Sequence, residues 1–175
     1  MDSAHFVLSA FLGTLWCFKR LFLKSPSGRQ RYNVLGALDA ITHEVVTVCN
    51  DAYINSQSVC ELLEKLRERH PVRPIRVVLD NARYQRCRLV IETAQELDIV
   101  LVFLPPYSPN LNLIERMWKF TKKKCLYSQY YSDFADFKAA IYDCVVNGHL
   151  NHKEELERLL TLRFQTFDLT QVVTV

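Results

Sequence analysis

A mixed α/β fold, with an antiparallel meander first and parallel strands afterwards, is what this sequence predicts. Three observations carry that prediction. Short β-prone runs at 32–39 and 45–49 crowd the N-terminal third around Thr42-His43. Beyond residue 55, helical periodicity alternates with two more apolar runs, 75–79 and 99–104. Turn residues mark the joints, at Ser25-Pro26-Ser27-Gly28, at Pro71 and at Pro105-Pro106-Tyr107-Ser108-Pro109. Antiparallel strands followed by strands alternating with helices imply a mixed sheet with helices on both faces.

The elements follow in order. Asp2-Ser3-Ala4-His5-Phe6-Val7 reads as the second half of a strand. Residues 14–23, with Leu15, Trp16, Phe18, Leu21, Phe22 and Leu23, read as another strand. Residues 55–69 form the clearest helix, with Val59, Leu62, Leu63 and Leu66 on one face, a capping box of Ser58 with Glu61, and Pro71 as its stop. The run 75–79 is a strand that ends on a carboxylate, Asp80. Residues 84–97 read as a helix with Cys87, Ile91 and Ala94 inward. The run 99–104 is apolar throughout, as in a strand buried on both faces. Helices are predicted at 111–124 and at 133–147. The second buries Phe134, Phe137, Ile141 and Cys144 or Val145, and Gly148 ends it. Asn151 with Glu154 caps a short last helix carrying Leu156, Leu159 and Leu160. Residues 170–175 are β-prone.

At 175 residues the chain fits one domain, and 49% hydrophobic with 23% charged content excludes a disordered chain. Its apolar runs fall short of the ~18–20 residues of a membrane helix. No basic region precedes the apolar stretch 6–16, which argues against a signal peptide, so the cytoplasm is the expected location. The six cysteines form no C-x-x-C pair, so buried reduced thiols are a better reading than zinc ligands.

A net charge of +3 says little, but its distribution says more. Arg116, Lys119 and Lys122-Lys123-Lys124 crowd one stretch. Arg83, Arg86 and Arg88 crowd another, just after Asp80. Lys24, Arg29 and Arg31 flank a turn, while Glu154, Glu155 and Glu157 gather near the C-terminus. Basic groups beside candidate catalytic carboxylates suit a polyanionic substrate; solvated helix faces are the plain alternative. Asp80 lies at the carboxyl end of its strand, where ligands bind in such sheets. Glu115 opens the helix after the next strand, and Asp2 is a third candidate carboxylate. Hard cations such as Mg²⁺ take oxygen ligands and retain waters, so two or three carboxylates suffice. On spacing alone, Asp80-Asn81 is also a strand-ending turn, Glu115 is also a capping partner of Asn112, and Asp2 is also a terminal residue.

The segment Val78-Leu79-Asp80-Asn81-Ala82-Arg83, then Phe103-Leu104-Pro105-Pro106-Tyr107-Ser108-Pro109-Asn110-Leu111-Asn112-Leu113-Ile114-Glu115-Arg116-Met117-Trp118, resembles the catalytic core of DDE transposases. The closest group is the bacterial insertion-sequence branch of the mariner-like superfamily. The 34 residues between Asp80 and Glu115 are similar to that group's spacing, and Asp2-Ser3-Ala4-His5-Phe6 resembles the motif around its first Asp. The resemblance implies a ribonuclease H-like fold with a mixed five-stranded sheet. It implies Mg²⁺ or Mn²⁺ held by Asp2, Asp80 and Glu115 as metal and catalytic residues. It further implies cleavage of double-stranded DNA at transposon ends, strand transfer into a target, and a homodimer on DNA.

Asn81, Arg83, Arg116, Lys119, Lys122 and Lys123 are then the candidate DNA-binding residues. Asn81 orients Asp80, contacts substrate or is a turn residue, and Trp118 is expected in the core. Leu113 stands where many relatives have Pro, and Gln85 where they have His. Full-length relatives carry a helix-turn-helix region before the first Asp, so a single domain over 1–175 with a truncated first strand is expected. The DNA-binding region would then come from a separate N-terminal polypeptide, encoded in an upstream reading frame, or have been cut away. Bacterial cytoplasm, on the nucleoid, is the implied location. Two alternatives stand beside a transposase catalytic domain: a non-catalytic remnant that folds and binds DNA or dimerises, and another ribonuclease H-like nuclease.

Overall fold

A computed structural model of the chain describes residues 1–8, 18–19, 30–106 and 108–164. The predicted strand at 14–23, the turn at 25–28 and the β-prone end at 170–175 lie outside the described residues, apart from Phe18 and Lys19. The first three strands are β1 (Asp2–Val7), β2 (Arg31–Leu38) and β3 (Val45–Asn50), paired antiparallel in that order. In this register Asp2 faces Gly36, and His5, Asn33 and Asn50 stand in one row across the ladder. The row is hydrogen-bonded: His5 Nδ1 meets Asn33 Oδ1 at 2.6 Å, and Asn33 Nδ2 donates to Asn50 Oδ1 at 3.1 Å.

Helix α1 (Ser56–Arg69) buries Val59, Leu62, Leu63 and Leu66, as its 3.6-residue period predicts. The cap lies earlier than the predicted Ser58 with Glu61. Asn55 has extended backbone, its side chain accepts from the Ser58 amide, and Ser58 Oγ accepts from the Asn55 amide. The chain passes through His70 and Pro71 into β4 (Ile75–Leu79), which pairs parallel with β5 (Ile99–Phe103). Helix α2 (Arg88–Glu96) crosses between them. It starts four residues later than predicted, because residues 83–87 are bound into a turn in which the Gln85 and Arg86 amides donate to the Ala82 carbonyl. Its buried residues are Val90 and Ala94, with Cys87 only partly covered and Ile91 exposed.

Two further expectations are corrected. β5 is covered on one face only: Val100 and Val102 are 54% and 40% exposed, and Val78 and Val102 border an open cavity of about 620 Å³. An unbroken apolar run cannot distinguish a strand covered on both faces from one whose second face stays open. The five strands also form two ladders among the described residues, β1-β2-β3 and β4-β5. The α-amino group of Met1 donates to the Val78 carbonyl at 2.6 Å, joining the two ladders without a run of paired residues.

A single-turn 3₁₀ helix (Pro109–Leu111) leads into α3 (Ile114–Cys125). Helix α4 (Phe134–Val146) is capped by Asp133 and buries Phe137, Ile141, Cys144 and Val145, as predicted. Gly148 opens a short α5 (Gly148–Asn151) as well as following α4, and a Cβ there would lie 3.3 Å from Met117 Cε. Helix α6 (Lys153–Leu159) begins after His152 without a side-chain cap, so the predicted Asn151 cap does not form. One core lies between the meander and α3, α4 and α6, around Phe6, Trp118, Phe137 and Leu156. The other joins the opposite face to α1, α2, β4 and β5, around Leu35, Leu62, Leu79 and Val90. Helices therefore cover both faces of the meander, and no helix among the described residues is long and apolar enough to cross a membrane. The five described cysteines are free thiols, with Cys125 and Cys144 buried and the other three partly buried.

Candidate active site

The ends of three elements meet at one place. Asp80 is the first residue past β4, and its Oδ1 accepts the Ala82 amide at 3.1 Å, which turns the chain at the strand end. Glu115 lies in the first turn of α3, where a carboxylate also favours the helix dipole. Both line a cavity of about 270 Å³, together with Asn81, Pro105, Pro106 and Asn112. Asp2 opens β1, and the fields of Glu115 and Asp80 reach it. Burial first, then those two carboxylates, push its pKa up to about 6, while the Ser3 amide and the Trp118 indole oppose the rise.

Trp118 is 2% exposed and donates from Nε1 to Asp2 Oδ2 at 3.0 Å. It packs edge-on against Phe6 at 6.4 Å between centroids. The indole is thus a core residue, as expected, and also a clamp on the carboxylate, which its position in the sequence did not disclose. Gly36 makes room for it: a Cβ on Gly36 would sit 2.8 Å from Trp118 Cη2. The Met1 amino group shares this crowded place, and burial lowers its pKa to about 6 against the fields of Asp2 and Asp80.

Polar side chains brace the frame. Asn81 Nδ2 donates to the Leu104 carbonyl, tying the end of β4 to that of β5, and Asn81 Oδ1 accepts from Arg86 Nη1 at 3.0 Å. Arg86 also lies over the Phe103 ring at 5.1 Å. Asn112, 5% exposed, donates to the Met1 carbonyl at 3.2 Å. The Tyr84 hydroxyl meets Ser3 Oγ at 3.2 Å and accepts from Gln85 Nε2 at 3.3 Å. Burial raises the Tyr84 pKa, with Asp80 and Asp2 adding to the rise, so its hydroxyl keeps its proton. Gln85 is fully buried, and its Oε1 has no hydrogen-bond partner among the described residues. Such an acceptor costs about 1–3 kcal/mol.

The predicted basic residues divide by surroundings. Lys119, Lys122 and Lys123 are exposed on the outer side of α3, at helical spacing from Glu115. Arg83 is exposed in the turn after Asp80. Lys124 instead pairs with Glu155 at 2.7 Å. The Arg116 guanidinium donates to the carbonyls of Leu159, Thr161 and Arg163 at 2.7–3.2 Å and lies over the Phe164 ring, fastening the end of the described chain to α3.

Three carboxylates with overlapping fields offer only hard oxygen donors, the set that Mg²⁺ or Mn²⁺ takes. The chemistry of the donors therefore fits such an ion. Among the described residues, however, no three His, Cys, Asp or Glu side chains converge into a ready-made metal cluster. Asp2 Oδ2 is turned to Trp118 instead.

The profile described as DDE superfamily endonuclease matches residues 16–138. No sequence among curated proteins matches the chain. Among solved structures, the chain is similar to that of the Mos1 strand transfer complex, at 14% identity and a TM-score of 0.63, over 95% of this chain and 54% of that one. It is similar to a pre-cleavage Mos1 transpososome at 15% identity and a TM-score of 0.61, over 95% and 56%. A Mos1 transposase catalytic domain, described with raltegravir and Mg, aligns at 13% identity and a TM-score of 0.59, over 95% and 84%. The chain thus spans about half the length of the first of these. At such identity the likeness is one of fold, the ribonuclease H-like fold of transposase catalytic domains.

Proposed function

This chain belongs to the DDE superfamily endonuclease family, and from that premise we propose that it is a transposase catalytic domain of the mariner-like, bacterial insertion-sequence branch. It cleaves double-stranded DNA at transposon ends and transfers the freed strand into target DNA. The observation that carries the reading is that Asp80 and Glu115 line one cavity while Asp2 lies within the field of both. Asp2, Asp80 and Glu115 hold Mg²⁺ or Mn²⁺. When bound, such ions supply stabilisation of the charge that builds on the entering and leaving oxygens during in-line displacement at phosphorus.

The rest is done by the chain's own residues. Asn81, held between the Leu104 carbonyl and Arg86, sets the direction of the strand end that bears Asp80. Arg83, Lys119, Lys122 and Lys123 receive the DNA backbone, whose phosphates bind exposed cations without regard to sequence. Arg116, directed to three carbonyls, secures the helix that bears Glu115 and leaves the DNA to its neighbours. The residues 1–175 form one catalytic domain. It works as a homodimer on DNA in the bacterial cytoplasm, at the nucleoid. The alternative of a non-catalytic remnant draws on one observation, that the carboxylates do not converge into a closed cluster.

The test is nicking of supercoiled plasmid in Mg²⁺ or Mn²⁺ by the parent, Asp80→Ala and Glu115→Ala. Metal-dependent nicking by the parent, lost in both variants, is the expected result. A folded parent that never nicks favours the remnant, and equal nicking by all three sinks the assignment of these carboxylates.

A further inference from the structure

Three consecutive residues around Asp2 are held by side chains or carbonyls of other elements. Met1 is bound to Val78 and Asn112, Asp2 to Trp118, and Ser3 to Tyr84. No ladder joins β1 to β4 among the described residues, so the spacing between the carboxylate that opens β1 and the one that follows β4 rests on such single bonds. Among the described residues, the Ser3–Tyr84 bond links the turns that follow Asp80 to the residue after Asp2. Its direction is set from behind. Gln85 Nε2 is a donor with no lone pair to offer, so the phenolic oxygen accepts from it, which leaves the phenolic proton free to turn toward Ser3 Oγ. Gln85 is wholly buried, and its side-chain oxygen is left without a partner among the described residues. Among the described residues, the hydrogen bond its side chain makes is the one to Tyr84.

We infer that Tyr84 is a positioning residue of the carboxylate site: through Ser3 its hydroxyl holds Asp2 at its separation from Asp80, and Gln85 orients that hydroxyl. The inference rests on the metal reading proposed above. Tyr84 touches no reacting atom; it acts through Asp2. Losing a bond that orients a metal ligand typically weakens metal binding by about 10–100-fold.

The test uses the full chain and MnCl₂. Calorimetry gives the Mn²⁺ affinity, and plasmid nicking across Mn²⁺ concentrations separates half-saturation from the rate at saturation. Parent, Tyr84→Phe, Ser3→Ala and the double variant are compared, with the exposed Tyr142→Phe as control. Tyr84→Phe is expected to weaken Mn²⁺ binding at least about tenfold, with a smaller loss of rate at saturating metal. Ser3→Ala should give a similar shift, and the double variant no more than either single, because both remove one bond. Circular dichroism and urea midpoints report whether the variants fold, and a folding defect alone would not give this non-additive shift. Unchanged Mn²⁺ affinity in folded Tyr84→Phe overturns the inference, as do independent, additive shifts from Ser3 and Tyr84. Failure of the underlying reading looks different: the parent itself then shows no Mn²⁺ binding that Asp80→Ala abolishes.

Discussion

Replacing Gly36 by Ala tests the geometry around Asp2 with a single methyl group. The new Cβ would lie 2.8 Å from Trp118 Cη2, and 3.2 Å from both Trp118 Cζ2 and Ile114 Cδ1. Carbon atoms rest about 3.5–4.0 Å apart, so the indole must retreat by about 0.7 Å or more. It has little room, being 2% exposed and set edge-on against Phe6. A retreat of that size stretches the 3.0 Å bond from Nε1 to Asp2 Oδ2 out of hydrogen-bonding range. Overpacking typically costs about 1–3 kcal/mol, and loss of a hydrogen bond to a charged group about 1.5–3. The two overlap, so the expected loss is about 2–4 kcal/mol. With a urea m value of roughly 2 kcal/mol/M, the unfolding midpoint falls by about 1–2 M. Trp118→Phe removes the two ring atoms that collide, so Gly36→Ala on that background should cost far less than on the parent. The reasoning is refuted if Gly36→Ala leaves the midpoint within about 0.25 M of the parent, or if the two substitutions simply add.

Three other perturbations have expected outcomes. The Asp2 carboxyl, raised from an ordinary 3.8 to about 6, binds its proton more tightly folded than unfolded, so this group's contribution to stability falls as pH rises from 3.8 to about 6. Urea midpoints of the metal-free parent minus those of Asp2→Asn trace that slope, and a flat difference contradicts it. Arg116→Met removes the guanidinium from three carbonyls, and proteolysis after Leu162 or Phe164, followed by mass spectrometry, should speed by about tenfold. Asn55→Ala breaks the capping box of α1 and should cost about 1 kcal/mol in urea unfolding, whereas Glu61→Ala should leave the cap intact.

The sequence was most informative where local chemistry decides the outcome. Val59, Leu62, Leu63 and Leu66 bury one face of α1 because helical period alone puts them there. Asp80 and Glu115 could be located because one follows a β-branched run and the other opens an amphipathic helix. Their shared cavity follows from the parallel pairing of β4 and β5, which leaves both connections at one end of the strands. Asp2 gains weight over other carboxylates through the resemblance, since a carboxylate after Met1 has little local signal. What escaped was decided by distant partners. Nothing near Gln85 announces full burial, and nothing near Arg116 announces three carbonyls more than 40 residues away. Arg88 starts α2, rather than Tyr84, because residues 83–87 close a turn on the Ala82 carbonyl.

The bonds around Asp2 have a consequence for the order of assembly. They join residues 77, 81, 111 and 116 positions apart in the chain. Contacts of such span carry the largest loop-closure entropy and form only after nearer ones have shortened the path between their ends. The meander, α1 and the β4–β5 crossover can each begin from residues nearer in the chain, while the bonds around Asp2 wait for all of them. The bonds that hold Asp2 therefore report on the assembled fold rather than on any one element.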